Sequence, residues 1–262
     1  MKNVICFDFD GVICDSAPET AVTAWKVCRE LWPGEGSNLP ETLLERFCRL
    51  RPVLHTGYEA IPLMRLIEMA GESDDSILER FPGLRDKLME QEGLAVAELR
   101  NLFGNTRDRL IELDQAAWLN WNRFYQGIRE ILTEAIQRHA VFLITTKQER
   151  FVGRLLRHHK IGLATDRIFG LEKQQTKPQI LGELLGRSEL QGATFHFIED
   201  RLKTLEHVVA TEALQPVRLY LADWGYNTPS ERRQGSGMTR VEVISVNDLR
   251  PLLMSAPGGQ SR

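Results

Sequence analysis

The sequence predicts an α/β protein, an open parallel sheet with a helical domain inserted early in the chain. Two observations carry this reading. Short continuous apolar runs alternate with helical periodicity in the second half of the chain, the pattern of parallel strands buried on both faces. More than 130 residues, mostly helical in pattern, separate the first such run, ending at Phe7, from the next, opening at Val141; a strand–helix–strand unit takes roughly 30 residues.

The predicted strands are at 4–7, 141–144, 195–198 and 217–221, each rich in β-branched or aromatic types, with a shorter candidate at 167–169. Between them, Phe151, Val152, Leu155 and Leu156 mark one helix, and Pro178, suited to a first helical position, opens another. In the long insertion, helices are expected at 21–31, 41–50, 60–70, 76–81 and 94–102. Ser16 and Glu19, three apart, have the spacing of a capping box at the start of the first. The stretch 49–59, polar with one glycine, is either a loop projecting toward a site or an exposed helix connection. The expected division is a core of 1–15 and 126–254, a helical insertion of 16–125 and a disordered tail at 255–262.

Composition narrows the class. Of 262 residues, 42% are hydrophobic and 26% charged, as in an ordinary soluble globular protein. A net charge of −3 without a basic block gives no nucleic-acid footprint. No apolar run approaches the roughly 20 residues that span a bilayer, and Asp8 and Asp10 interrupt the N-terminal run too soon for a signal peptide. Cys6, Cys14, Cys28 and Cys48 show no CxxC spacing, so reduced thiols in a cytoplasmic protein are expected.

The chemistry-bearing residues follow the strands. The first run ends in Asp8-Phe9-Asp10-Gly11, the next in Thr145-Thr146-Lys147, and a later one in Glu199-Asp200, with Lys177 between the last two. Ligands of an open parallel sheet bind beyond the carboxyl ends of its strands. Gathered there, these groups give about four carboxylates, a hydroxyl and an ammonium; crowded carboxylates need a cation, and all-oxygen ligands suit a hard one such as Mg²⁺. On a continuing strand, Asp8 and Asp10 point to one face, so one can act as nucleophile while the other handles protons. Thr146, three residues before Glu149, reads as a helix N-cap.

These motifs, in order and spacing, resemble the four motifs of the haloacid dehalogenase superfamily, most of whose members are phosphatases. Residues 8–12 (DFDGV) are similar to the first, 143–147 (LITTK) to the second, Lys177-Pro178 to the third and 197–200 (FIED) to the fourth; 125–127 (YQG) and 222–226 (ADWGY) are further matches. The resemblance implies a Rossmann-like core with a C1-type helical cap at 16–125. It implies a Mg²⁺-dependent phosphatase in which Asp8 attacks phosphorus to form an aspartyl-phosphate and Asp10 protonates the leaving alcohol and then assists water. Thr145 and Lys177 bind phosphoryl oxygens; Asp8, Asp200 and the carbonyl of Asp10 hold the metal, with Glu199 in the first position of a paired-acid fourth motif. The substrate expected is a small phosphorylated metabolite, with no nucleic-acid or membrane partner. A phosphomutase uses the same intermediate, and a non-catalytic binding protein could keep the fold. A dehalogenase needs neither Asp10 nor a metal, and the insertion holds no standout Schiff-base lysine, which argues against a phosphonate hydrolase.

Overall fold

A computed structural model of the chain describes residues 3–34, 36 and 38–254; the tail expected at 255–262 lies outside them. The strands are β1 (Asn3–Phe7), β2 (Cys14–Asp15), β3 (Arg123–Phe124), β4 (Ala140–Ile144), β5 (Ile168–Phe169), β6 (Thr194–Glu199), β7 (Arg218–Ala222) and β8 (Val241–Ile244). Six of them form the sheet, in the order β5-β4-β1-β6-β7-β8, with every pairing parallel. This is the expected α/β class.

The helices are α1 (Ala17–Leu31), α2 (Glu41–Leu50), α3 (Ala60–Met69), α4 (Asp74–Gln91), α5 (Val96–Leu113), α6 (Gln115–Asn120), α7 (Ile128–Arg138), α8 (Glu149–His158), α9 (Lys177–Leu185), α10 (Leu202–Val209), α11 (Pro229–Ser236) and α12 (Val246–Met254). The chain forms two compact units, one of Met1–Asp15 with Phe124–Arg262 and one of Ser16–Arg123. Phe124 and Tyr125 fall on the sheet-containing side of that division. No described helix is long and apolar enough to cross a membrane.

In the sheet-containing unit, β1, β4 and β5 are buried along their whole length. Val4 and Cys6 share one apolar cluster with Phe142, Ile144, Phe195 and Phe197, covered by α9 and α10 through residues such as Ile180, Leu184 and Leu205. The intervening residues, Ile5, Phe7, Val141 and Leu143, point to the other face by the strand's two-residue period. Both faces are therefore dry, which is why these strands read as unbroken apolar runs. Phe7 lies in register with Leu143 of β4 and with Ile198 of β6. The three strands thus end level, and whatever follows each of them emerges at one rim. β1 also lies where the strand order reverses, the place at which such sheets form a crevice.

His196 on β6 is buried, its ring stacked on Tyr220 and its Nδ1 3.1 Å from the Tyr220 hydroxyl. Burial, with Arg218 and His139 adding repulsion, pushes its pKa down to about 4. The unfolded chain takes up this proton near pH 6.5, the folded one near 4, so stability is intact above 6.5 and falls between the two as pH drops. Unfolding in urea at pH 7, 5.5 and 4.5 is expected to show wild type losing up to about 3 kcal/mol more than His196→Phe over that window. Parallel curves for the two proteins would show that His196 is not the cause.

In the helical unit, α1 packs against α2, α3 and α5, around a core that includes Trp25, Phe47, Leu50, Leu63, Phe81 and Leu99. α1 starts where expected, with Ser16 at the N-cap and Pro18 in the first turn, but Ser16 makes no side-chain cap bond. The expected capping box is absent because Glu19 turns inward and is fully buried against Arg107. Within 49–59, Glu59 is buried and accepts from the backbone N–H groups of His55 and Thr56, at 2.6 and 2.8 Å, so this connection is pinned from inside.

Candidate active site

All the residues singled out in the sequence for chemistry lie in the sheet-containing unit, at the carboxyl ends of β1, β4 and β6 and the amino end of α9. β1 ends at Phe7, and the buried Asp8 follows, its N–H donating to the carbonyl of Ile198 at 2.9 Å. The chain then turns rather than continuing as a strand. Gly11 takes a φ of +90°, which L side chains avoid, and its N–H meets the Cys14 carbonyl at 2.9 Å. A Cβ at Gly11 would lie 2.1 Å from Asp200 Oδ2, and one at Gly225 would lie 2.3 Å from the Asp200 Cβ. The two glycines let three backbone segments close around Asp200.

Lys177 opens α9, held there by Thr176, whose hydroxyl accepts from the Gln179 N–H while Gln179 Oε1 accepts from the Thr176 N–H. Its ammonium lies 2.8 Å from Asp8 Oδ1 and 2.7 Å from Glu199 Oε2. Glu199 Oε1 accepts from the N–H groups of Asp200 and Arg201, at 3.1 and 3.0 Å. Both Glu199 oxygens are thus engaged. Asp200 is oriented from the backbone: Oδ2 accepts from the Tyr226 N–H at 2.7 Å, and its carbonyl accepts from Asn227 Nδ2 at 2.9 Å. Asp200 Oδ1 is buried with no partner among the described residues.

Asp8, Glu199 and Asp200 each place a carboxylate oxygen within 4.8 Å of the others, and all three residues are buried. Burial pushes the Asp8 carboxyl up, to about 7; Lys177 opposes that rise and Glu199 adds to it. Burial likewise pushes Glu199 up to about 7 against the pull of Lys177, and raises Asp200 together with the charge of Asp8. Burial pulls the Lys177 pKa down, but Asp8 and Glu199 outweigh it and hold it above the usual lysine range, so the ammonium is favoured. One ammonium against three carboxylates leaves uncompensated negative charge in a dry place, and a cation relieves it.

Thr145 follows β4, anchored by its N–H on the Phe169 carbonyl at 2.9 Å, and its Oγ1 accepts from the Lys147 N–H at 3.1 Å. That bond uses a lone pair and leaves the hydroxyl proton to donate. Thr146 does not cap a helix: α8 starts only at Glu149, with Gln148 at its N-cap. Asp10 stands apart from the acidic cluster in its partner. It pairs with Lys147, whose Nζ lies 3.0 Å from Oδ1 and 3.4 Å from Oδ2. Lys147 and the Tyr226 N–H are the two contributors that sequence reasoning assigned no role. Nothing local in the sequence distinguishes Lys147 from a solvated lysine, because its partner is 137 residues away. Tyr226 sits in one of the quoted family matches but acts through its backbone.

Solved structures share this architecture over nearly the full chain. A hydrolase of the haloacid dehalogenase-like family from Streptococcus pneumoniae aligns over 96% of this chain and 97% of its own, with a TM-score of 0.59 and 14% identity. The chain has the haloacid dehalogenase-like fold. A predicted phosphoglycolate phosphatase from Haemophilus somnus with that fold aligns over 96% of both chains, with a TM-score of 0.58 and 16% identity. A predicted phosphatase from Clostridium acetobutylicum aligns over 97% of this chain and 99% of its own, at 0.55 and 18%. No family model matches the sequence, and no curated protein matches it. The likeness is therefore one of fold, and the chemistry rests on the residues at the rim.

Proposed function

We propose that this chain is a Mg²⁺-dependent phosphatase of small phosphomonoesters, with Asp8 as the nucleophile. The observation that carries this is the trio of buried carboxylates around Asp8, with one orphaned oxygen on Asp200 and one ammonium at its side. An unpartnered buried carboxylate oxygen is costly unless a cation or donor meets it, and the donor set is all oxygen, as a hard divalent ion requires. Asp8, Asp200 and the main-chain carbonyl of Asp10 would hold Mg²⁺. Glu199, whose oxygens are both taken, is read as the group that holds Lys177 in place. Bound there, the ion would offset the charge of the carboxylates and of the phosphoryl group.

The reaction follows from the side chains. An Asp8 oxygen attacks phosphorus, the ester P–O bond breaks, and the leaving oxygen takes a proton from the Asp10 carboxyl. The resulting aspartyl-phosphate is opened by water, which gives a proton back to Asp10. Lys177 and the Thr145 hydroxyl face the phosphoryl oxygens, where fixed donors supply most of the barrier reduction in phosphoryl transfer. The helical unit, Ser16–Arg123, is read as the cap that selects the leaving group. The four cysteines are free thiols, in keeping with a cytoplasmic setting.

The test is a screen of phosphorylated metabolites and p-nitrophenyl phosphate, with phosphate release as readout. Release is expected with Mg²⁺ and is expected to stop after dialysis against a chelator. In parallel, saturating Mg²⁺ is expected to raise the unfolding midpoint of wild type by several degrees, since a ligand at 100 times its Kd adds about 2.7 kcal/mol, and to leave Asp200→Asn unmoved. Turnover undiminished by the chelator, or equal shifts in both proteins, would remove the metal from this reading.

A further inference from the structure

Two ammonium groups reach the rim, and each serves a different aspartate. Lys177 is shared by Asp8 and Glu199. Lys147 meets Asp10, and its side chain is only 2% exposed, whereas that of Asp10 is 20% exposed. A lysine buried to this degree is expensive unless its charge is met, so the pairing with Asp10 is built into the fold.

The backbone around Lys147 is fixed on both sides. Its N–H is held by Thr145 Oγ1 at 3.1 Å and its carbonyl accepts from the Leu171 N–H at 3.1 Å. Gly170 closes against it so tightly that a Cβ there would lie 2.8 Å from the Lys147 carbonyl oxygen. Asp10 sits in the turn before Gly11, its backbone bridged to Cys14, and its side chain is the more exposed of the pair. The lysine is the buried partner and the carboxyl group is the one open to the rim.

We propose that Lys147 is a positioning residue that directs the Asp10 carboxyl toward the leaving oxygen of the ester. This rests on the phosphatase reading above and adds to it a residue with a defined task. Lys147 Nζ lies 3.0 Å from Oδ1 and 3.4 Å from Oδ2, so one ammonium fixes the direction of the whole carboxyl group. As the bond from Asp8 to phosphorus forms and the ester P–O bond breaks, the leaving oxygen keeps the electron pair and takes the proton of the Asp10 carboxyl group. Proton delivery depends on hydrogen-bond reach and direction, so a small displacement of the Asp10 carboxyl group is felt wherever the leaving oxygen needs that proton.

The need differs between esters. An alkoxide is a poor leaving group and depends on the proton; p-nitrophenolate leaves without it. kcat/KM reports events up to the release of the alcohol, so it isolates this step from hydrolysis of the aspartyl-phosphate. Lys147→Met and Lys147→Gln are compared with wild type on an alkyl ester, glycerol 2-phosphate, and on p-nitrophenyl phosphate. For either variant, kcat/KM is expected to fall at least about tenfold more on the alkyl ester than on the aryl ester. In an Asp10→Asn background, adding Lys147→Gln is expected to change neither value further. An equal loss on both esters, or a further selective loss in the Asp10→Asn background, overturns the proposal, since a merely structural lysine would slow both substrates alike. Wild type with no turnover of either ester would instead overturn the phosphatase reading and the inference with it, whereas wild-type turnover with an unmoved ratio in the variants overturns Lys147 alone.

Discussion

Asp8→Asn is expected to end phosphate release from p-nitrophenyl phosphate, with a loss on the order of 10⁴-fold or more, the scale seen when a nucleophile is removed from an intact site. An amide oxygen cannot form the acyl phosphate, and the neighbouring carboxylates are committed elsewhere: Asp200 is held by the Tyr226 N–H and is read as a metal ligand. Glu199 is tied to Lys177 and to two backbone N–H groups, and Asp10 is tied to Lys147. The fold should survive. Burial already raises the Asp8 carboxyl toward neutrality, so the substitution removes a charge that the cluster bears at a cost. Lys177 keeps its 2.7 Å bond to Glu199. The variant should therefore unfold at or slightly above the wild-type temperature in the absence of metal, while the wild type, given a ³²P-labelled ester and quenched in acid, carries label that the variant lacks. Unchanged turnover in the variant would refute Asp8 as nucleophile.

The rim of the sheet was legible because the strands that build it are dry on both faces. Runs such as 4–7 and 141–144 contain no polar residue to blur them, and Asp8, Thr145 and the Glu199-Asp200 pair follow at once. β8 was missed for the opposite reason: it lies at the edge of the sheet, Glu242 is exposed and Val243 only half-buried, so 241–244 shows no continuous apolar run. The helix expected at 76–81 is part of the longer α4, Asp74–Gln91. It runs on to Gln91 with Pro82 inside, on the solvent side, next to Leu78, whose carbonyl the proline leaves without its usual donor at an exposed position. The partners of Asp10 and Glu19 were not legible at all. Both are ion pairs between residues far apart in sequence, and in the case of Glu19 a local pattern pointed elsewhere. The spacing of Ser16 and Glu19 fits a capping box, whose glutamate ordinarily sits at the surface; here a partly buried guanidinium offers a stronger partner than a backbone N–H.

That guanidinium gives the largest effect on stability. In the helical unit, Arg107 grips Glu19 with two parallel bonds, Nε to Oε1 and Nη2 to Oε2, both 2.7 Å. Glu19 Oε1 also accepts from Thr23 Oγ1 at 3.0 Å and from Trp118 Nε1 at 3.2 Å. The Glu19 side chain is 0% exposed and that of Arg107 11%, with the guanidinium 4.7 Å over the ring of Phe103. Three elements, α1, α5 and α6, meet through this one carboxylate. Arg107→Met keeps much of the packing volume and removes the charge, leaving Glu19 ionised in a dry core or forcing it to take up a proton. Loss of one member of a buried pair costs about 3–5 kcal/mol, so the helical unit is expected to unfold at distinctly lower urea. Replacing both, with Glu19→Met added, should recover most of that loss, because an apolar pair of similar volume often matches a buried ion pair. Tryptophan fluorescence is the suitable probe, since Trp25, Trp32, Trp118 and Trp121 lie in this unit and only Trp224 lies outside it. A single variant within about 1 kcal/mol of wild type, the range of an exposed pair, would show that the Glu19 charge is met by something other than Arg107. A double variant less stable than the single one would show that the network, with Thr23 and Trp118, holds α1, α5 and α6 together through the carboxylate itself.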